Sequence, residues 1–266
     1  MYNYIVDTHC HLDLIEDKGL NLEEILENCH KNGVHILQNI CTKFSNFDKI
    51  LSYTARHKNI YCSIGLHPCY VSPNEFKKAE EIQKYCQKFP KIIGIGETGL
   101  DYFHDTSQIS LQKQSFVEHI QASAQSKLPL IIHSRNADKD MAEILSYEQK
   151  NQRFPALLHC FSSTKELCWR ALDLGIFISI AGIVTFKNAQ ELQEIIKSIP
   201  LEYLLIETDS PYLAPMPNRG SINQPSNTLF VAQKIAELKQ ISVEKLINHT
   251  TENFHRIFTR VAPIAS

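Results

Sequence analysis

The sequence predicts a (β/α)8 barrel. Three observations carry that reading. Eight short apolar stretches recur along the chain, at 4–7, 34–40, 60–64, 92–95, 130–133, 156–159, 176–180 and 203–207. They read as near-continuous Ile, Leu and Val, the pattern of parallel strands buried on both faces. The segments between them carry helical spacing, and 266 residues suit a single barrel of about 250 residues.

Taken in order, the strand at 4–7 runs into Asp7-Thr8-His9-Cys10-His11. A helix is expected over 22–32, where Leu22, Ile25, Leu26 and Cys29 form one stripe and Gly33 ends it. After the strand at 34–40, Ser45 is placed to cap a helix reaching 57. A helix falls within 73–89, and another spans 109–125. Asn136 is placed to cap a helix to 148. Helices at 165–174 and 189–199 stop at Gly175 and Pro200, and a loop covers 182–187. A Pro-rich loop, 211–225, precedes closing helices at 226–238 and 242–258. No linker or composition shift divides the chain, so one barrel domain is expected over 1–266.

Hydrophobic residues make up 43% and charged residues 21%, which suits a globular chain with a sizeable core. No run approaches the roughly 18 apolar residues of a membrane span. No signal core is visible, so a cytoplasmic setting is expected, with the eight cysteines reduced. The net charge of −2 excludes a global basic field. A nucleic-acid substrate would then need local cations or bound metal.

The polar residues at the strand ends carry the chemistry. Side chains alternate along a strand, so His9 and His11 share a side that Asp7 can join, while Cys10 turns away. Glu97 lies past the fourth strand, His133 and His159 end the fifth and sixth, and Asp209 lies past the eighth. Active sites of this fold sit at the C-terminal ends of the strands. One such histidine is ordinarily a rim residue satisfied by a backbone carbonyl. Four, with two carboxylates, point to divalent metal.

The motifs 7–13 (Asp-Thr-His-Cys-His-Leu-Asp), 65–68 (Gly-Leu-His-Pro), 94–102 (Gly-Ile-Gly-Glu-Thr-Gly-Leu-Asp-Tyr) and 133–135 (His-Ser-Arg) resemble the TatD-type metal-dependent deoxyribonucleases. So do 159–162 (His-Cys-Phe-Ser) and 207–215, with Arg219-Gly220. The resemblance implies a barrel with two divalent ions. His9, His11 and Asp209 would hold one, His133 and His159 the other, with Glu97 shared. It also implies 3′→5′ exonuclease or broader DNase activity. Ser163 and Gln224 stand where the family often has Gly and Glu.

Phosphodiester hydrolysis needs an activated water and neutralised oxygens, which two ions supply. Asp209 is the expected general base; the plainer reading makes it a helix cap ahead of Pro211. Glu207 is expected to orient a ligand or to sit in a buried ion pair. Arg135 and Arg219 suit phosphate contacts, or rim ion pairs. His67 is a candidate for contact with phosphate or a leaving oxygen, or else a rim histidine. Tyr102, Phe103, Phe161 and Tyr212 are candidate stacking surfaces. His104 has no assigned role, and His30, His35, His57, His119, His249 and His255 read as structural. Imidazole and carboxylate ligands fit magnesium, manganese or zinc. The expected partner is DNA, single-stranded or at 3′ ends, with no membrane and no obligate protein partner. The alternatives are a deacylase or small phosphodiesterase on the same centre, and a weakly active metal-binding scaffold.

Overall fold

A computed structural model describes residues 2–104 and 106–264. Its elements run in the order β1 (Ile5–Cys10), α1 (Leu12–Asp17), α2 (Leu22–Lys31), β2 (Val34–Asn39), α3 (Phe47–Arg56), β3 (Ile60–Ile64), α4 (Ala79–Lys88) and β4 (Ile92–Asp101). Then come α5 (Ile109–Ser126), β5 (Leu130–Arg135), α6 (Asp138–Asn151), β6 (Ala156–Leu158), α7 (Lys165–Asp173), β7 (Phe177–Ile180), α8 (Gln190–Ser198), β8 (Leu204–Ile206), α9 (Thr228–Lys239) and α10 (Val243–Ile257). The strands follow one another from β1 to β8 in one sheet, with parallel pairing. This is the (β/α)8 barrel that the sequence predicts. No helix among the described residues is long and apolar enough to cross a membrane.

The chain divides into two compact units. One holds the residues up to Asn39, Ser179–Arg256 and those from Ala262 on. The other holds Ile40–Ile178 and Ile257–Val261. In the first, every residue of β1 is buried, as a strand between two covered faces requires. Asn21 caps α2, its Oδ1 accepting from the amides of Glu23 and Glu24 at 2.8 and 3.3 Å, a contact of about 1 kcal/mol. In the second, all ten residues of β4 are buried, and α4 and α5 pack beside it.

Several expected boundaries move. β1 extends to Cys10, so His9 lies inside the strand, and α1, which the sequence reading lacks, starts immediately after His11. Ser45 caps nothing. It lies in a 3-10 turn, Phe44–Asn46, that leads into α3. α4 begins at Ala79, well inside the expected span. Asn136 takes a left-handed φ of 54° and α6 starts at Asp138 without a side-chain cap.

The largest change is β4, expected to end at 95. It continues through Glu97 to Asp101. Gly96 and Gly99 permit this. Their φ values, 136° and 140°, lie where side chains are rarely accommodated. Added Cβ atoms would run into the carbonyl oxygens of Ile131 and His133 on β5. The glycines thus let β4 lie tight against the backbone that carries His133.

Candidate metal centre

The first unit gathers His9, His11 and Asp209. β1 delivers His9, and His11 follows it as the N-cap residue of α1. The backbone amide of Asp209 donates to the carbonyl of His9 at 2.9 Å. That of His11 donates to the carbonyl of Ser210 at 2.8 Å. Asp209 has φ of 54° and begins no helix, so the helix-cap reading fails. The two Nε2 atoms lie 3.3 Å apart. Asp209 Oδ1 is 3.6 Å from that of His9 and 3.4 Å from that of His11. Donors held at zinc-type bond lengths on a tetrahedron lie about 3.3 Å apart. The spacing is therefore that of a ligand set around one cation.

Asp7, which can share the histidine side, has its carboxylate turned to Thr208. It accepts from the Thr208 amide at 2.9 Å and hydroxyl at 2.6 Å. Burial pushes Asp7 up to about 8, against those two hydrogen bonds. Its contacts tie β1 to the segment that presents Asp209. Glu207 is buried and accepts from the hydroxyls of Ser179 and Thr8. Cys10 turns away as expected, its thiol donating to the Gln38 carbonyl at 3.4 Å.

The second unit gathers Glu97, His133 and His159, together with His67. Glu97 Oε1 lies 2.8 Å from His159 Nε2, 3.1 Å from His133 Nδ1 and 3.3 Å from His67 Nε2. His133 Nδ1 and His159 Nε2 are 3.3 Å apart. Burial alone would raise the Glu97 carboxyl, but the His159 and His67 rings beside it hold it well below the usual range.

Asp101 orients this cluster, and the sequence reading missed it. Its sequence signal is its place in Gly-Leu-Asp-Tyr, and a strand that ends at 95 puts it in a loop. Its side chain is fully buried at the end of β4. Oδ2 accepts from His133 Nε2 at 3.0 Å and His104 Nδ1 at 2.9 Å. Oδ1 accepts from the amides of Phe103 and His104 at 2.9 and 3.0 Å. Burial works to raise Asp101, but the bonds from His133 and His104 win and hold it far below its ordinary value.

These bonds fix protons. A carboxylate only accepts, so His133 carries a hydrogen on Nε2 toward Asp101, which leaves Nδ1 as the atom that would offer a lone pair to a cation. A lone pair facing a carboxylate needs a proton or a cation between them. Burial disfavours charge on His133, yet its bonds to Asp101 and Glu97 raise it overall. The donor set therefore fits a divalent ion, which would take the place of that proton.

The other predicted residues are placed as follows. The Arg135 guanidinium stacks on Phe103 at 3.9 Å, and that of Arg219 on Phe186 at 4.1 Å. Phe103 and Tyr212 are exposed. Phe161 is 2% exposed, so it belongs to the core and offers no stacking surface. The Tyr102 hydroxyl is tied to Asp140 at 2.6 Å. Gln224 meets Asn28 on α2 at 3.3 Å. Its neighbour Asn223, fully buried, donates to the carbonyls of Thr208 and Tyr212 at 3.0 and 2.6 Å and so holds the loop that carries Asp209.

Comparison with known proteins finds relatives along nearly the whole chain. The "Uncharacterized metal-dependent hydrolase BU355" of Buchnera aphidicola is 38% identical over 262 residues, covering 96% of this chain and 99% of its own. YcfH of Escherichia coli, likewise named an uncharacterized metal-dependent hydrolase, is 36% identical over 257 residues, covering 96% of each chain. The crystal structure of YJJV, a TatD homologue from Escherichia coli, superposes with a TM-score of 0.86 at 27% identity, over 96% of this chain and 98% of that one. The family model described as TatD related DNase matches residues 6–259, and the chain belongs to that family.

Proposed function

We propose that this protein is a metal-dependent hydrolase of phosphodiester bonds, acting on DNA from 3′ ends with a preference for single strands. One observation carries the metal-dependent hydrolysis: each compact unit holds a cluster of imidazoles and a carboxylate at strand C-terminal ends, with donor atoms at cation-binding spacing. The choice of DNA rests on the family. One divalent ion in each cluster, magnesium, manganese or zinc, completes the reading, and the resemblance makes Glu97 a ligand of both.

When bound, such ions lower the pKa of water toward neutrality and offset charge on phosphoryl oxygens. The side chains do the rest. Asp209 turns Oδ1 toward His9 and His11, and its carboxylate is the proposed acceptor of the water's proton. His67 donates through Nε2 to Glu97 in the resting protein and is placed to give that hydrogen to a phosphate or leaving oxygen. Arg135 and Arg219 pair with phosphate, each guanidinium held flat on an aromatic ring. Phe103 and Tyr212 offer faces to unpaired bases.

The test is cleavage of an end-labelled single-stranded oligonucleotide by metal-free protein titrated with Mg²⁺, Mn²⁺ or Zn²⁺. A metal-dependent ladder from the 3′ end, abolished in Glu97→Ala, is the expected result. No cleavage by protein that binds the ions would overturn the nuclease reading and turn the search to ester and amide substrates.

A further inference from the structure

We infer that Cys69, Asp101 and His104 form a further cation site, selective for zinc-type ions over magnesium. The three residues come from two segments of the same unit: the turn after β3 and the end of β4. His104 Nδ1 lies 2.9 Å from Asp101 Oδ2 and 3.6 Å from Cys69 Sγ. One ligand atom from each residue falls within 4.8 Å of the other two. These separations match those in the two histidine clusters, with sulfur in place of one nitrogen and its longer bonds to metal.

The donor set sets the selectivity. Thiolate, imidazole and carboxylate together suit zinc, whereas magnesium takes oxygen ligands and keeps its waters. Cys69 is exposed, which gives an ion a way in and leaves a coordination position open to water. On binding, the metal–sulfur bond replaces the S–H bond, and the proton leaves to solvent.

The site is coupled to the cluster already described through one atom. Asp101 Oδ2 faces both His104 Nδ1 and His133 Nε2. An ion drawn onto that carboxylate fixes the group that holds the His133 ring. It also pins the turn that carries Phe103, on which Arg135 stacks. The ion is thus a positioning device for His133 and for the aromatic rim beside it. This goes beyond the hydrolase reading and needs no substrate to be tested.

The experiment loads metal-free protein with Co²⁺ and follows near-ultraviolet absorption, where thiolate ligation to cobalt gives a charge-transfer band. The wild-type protein is expected to show the band, and Cys69→Ser to lose it along with one equivalent of bound Zn²⁺ per chain. Cys160→Ser, beside the His159 ligand, is expected to keep both. His104→Gln, an exposed position, serves if Cys69→Ser fails to fold, and is expected to lose the same equivalent. Absence of a thiolate band at saturating cobalt, or a band and stoichiometry unchanged by these substitutions at 69 and 104, would overturn the assignment. Neither result depends on whether the protein cuts DNA.

Discussion

The turn after β3 and the end of β5 each bring a histidine to Glu97 Oε1, and the two rings arrive in opposite states. Behind His67, the Cys69 amide donates to Nδ1 at 3.1 Å. Its hydrogen therefore sits on Nε2, the atom that faces Glu97. Behind His133, Asp101 accepts from Nε2, so Nδ1, 3.1 Å from Glu97, is the atom that a proton or a cation must join to that carboxylate. Burial pushes His67 down as a base, while the bonds from Asp101 and Glu97 outweigh burial and raise His133. One carboxylate thus meets a hydrogen-bond donor on one side and a candidate metal ligand on the other. The identity of the residue does not separate the two roles. The group behind the ring does.

The two rings differ most in what His133 gives the cluster. Replacing it with Ala removes a donor from the Glu97 cluster. Bound metal in that cluster and turnover should both fall by more than about 100-fold, because loss of even an outer partner of a ligand costs 10–100-fold. Elemental analysis after dialysis, beside initial rates on labelled DNA, checks both. Retained stoichiometry would place the cation elsewhere. Asp101→Asn comes next. The amide presents its NH2 either to the two backbone N–H groups of the 103–104 turn or to His133 Nε2. The second arrangement moves the ring hydrogen to Nδ1 and blunts the lone pair. Metal affinity should drop about 10–100-fold, read by calorimetric titration. An unchanged affinity would show that Asp101 does not set the tautomer.

The limits of sequence reading fall at these same places. The eight strands were legible because buried parallel strands are continuous Ile, Leu and Val, a signal that survives boundary errors of several residues. His9, His11, His133, His159, Glu97 and Asp209 were legible because their types are rare together at strand ends. Asp101 was not. Its role depends on β4 continuing past 95, which glycines at 96 and 99 argue against by propensity and permit only through close packing on β5. Phe161 failed for the opposite reason. It sits in a loop motif beside His159, yet its side chain is buried, and loop position alone does not say which way an aromatic turns. α1 was hidden because Leu12–Asp17 is only six residues long, too short for a helical period to register.

His67 is the other half of the pair. If it is a donor to Glu97 and not a ligand, His67→Gln should leave metal content intact and lower the rate by about 10-fold, the scale of one hydrogen bond to a charged group. Loss of metal in that variant would make His67 a ligand and erase the difference between the two rings.

A further effect concerns what supports the His67 turn. His119 on α5 accepts the Leu66 amide on Nε2 at 3.1 Å and donates from Nδ1 to the Ser115 carbonyl at 2.7 Å. Both bonds together require a neutral ring, and the ring is fully buried. Burial lowers His119 from 6.5 to about 4. Between those values the unfolded chain takes up a proton that the folded protein refuses, so stability is full above the unfolded value and declines as pH falls through this window. From pH about 7.5 to about 6 the loss attributable to His119 should be about 1 kcal/mol, approaching roughly 3 kcal/mol near pH 4. Urea unfolding of wild type and His119→Gln across that range isolates it, since every other titrating group is common to both chains. Gln carries no proton into this range, so the variant should lose less stability on acidification, even though it starts from a lower value. Parallel pH profiles would mean that the ring is protonated in the folded protein, and that the Leu66 amide is then held by something other than its lone pair.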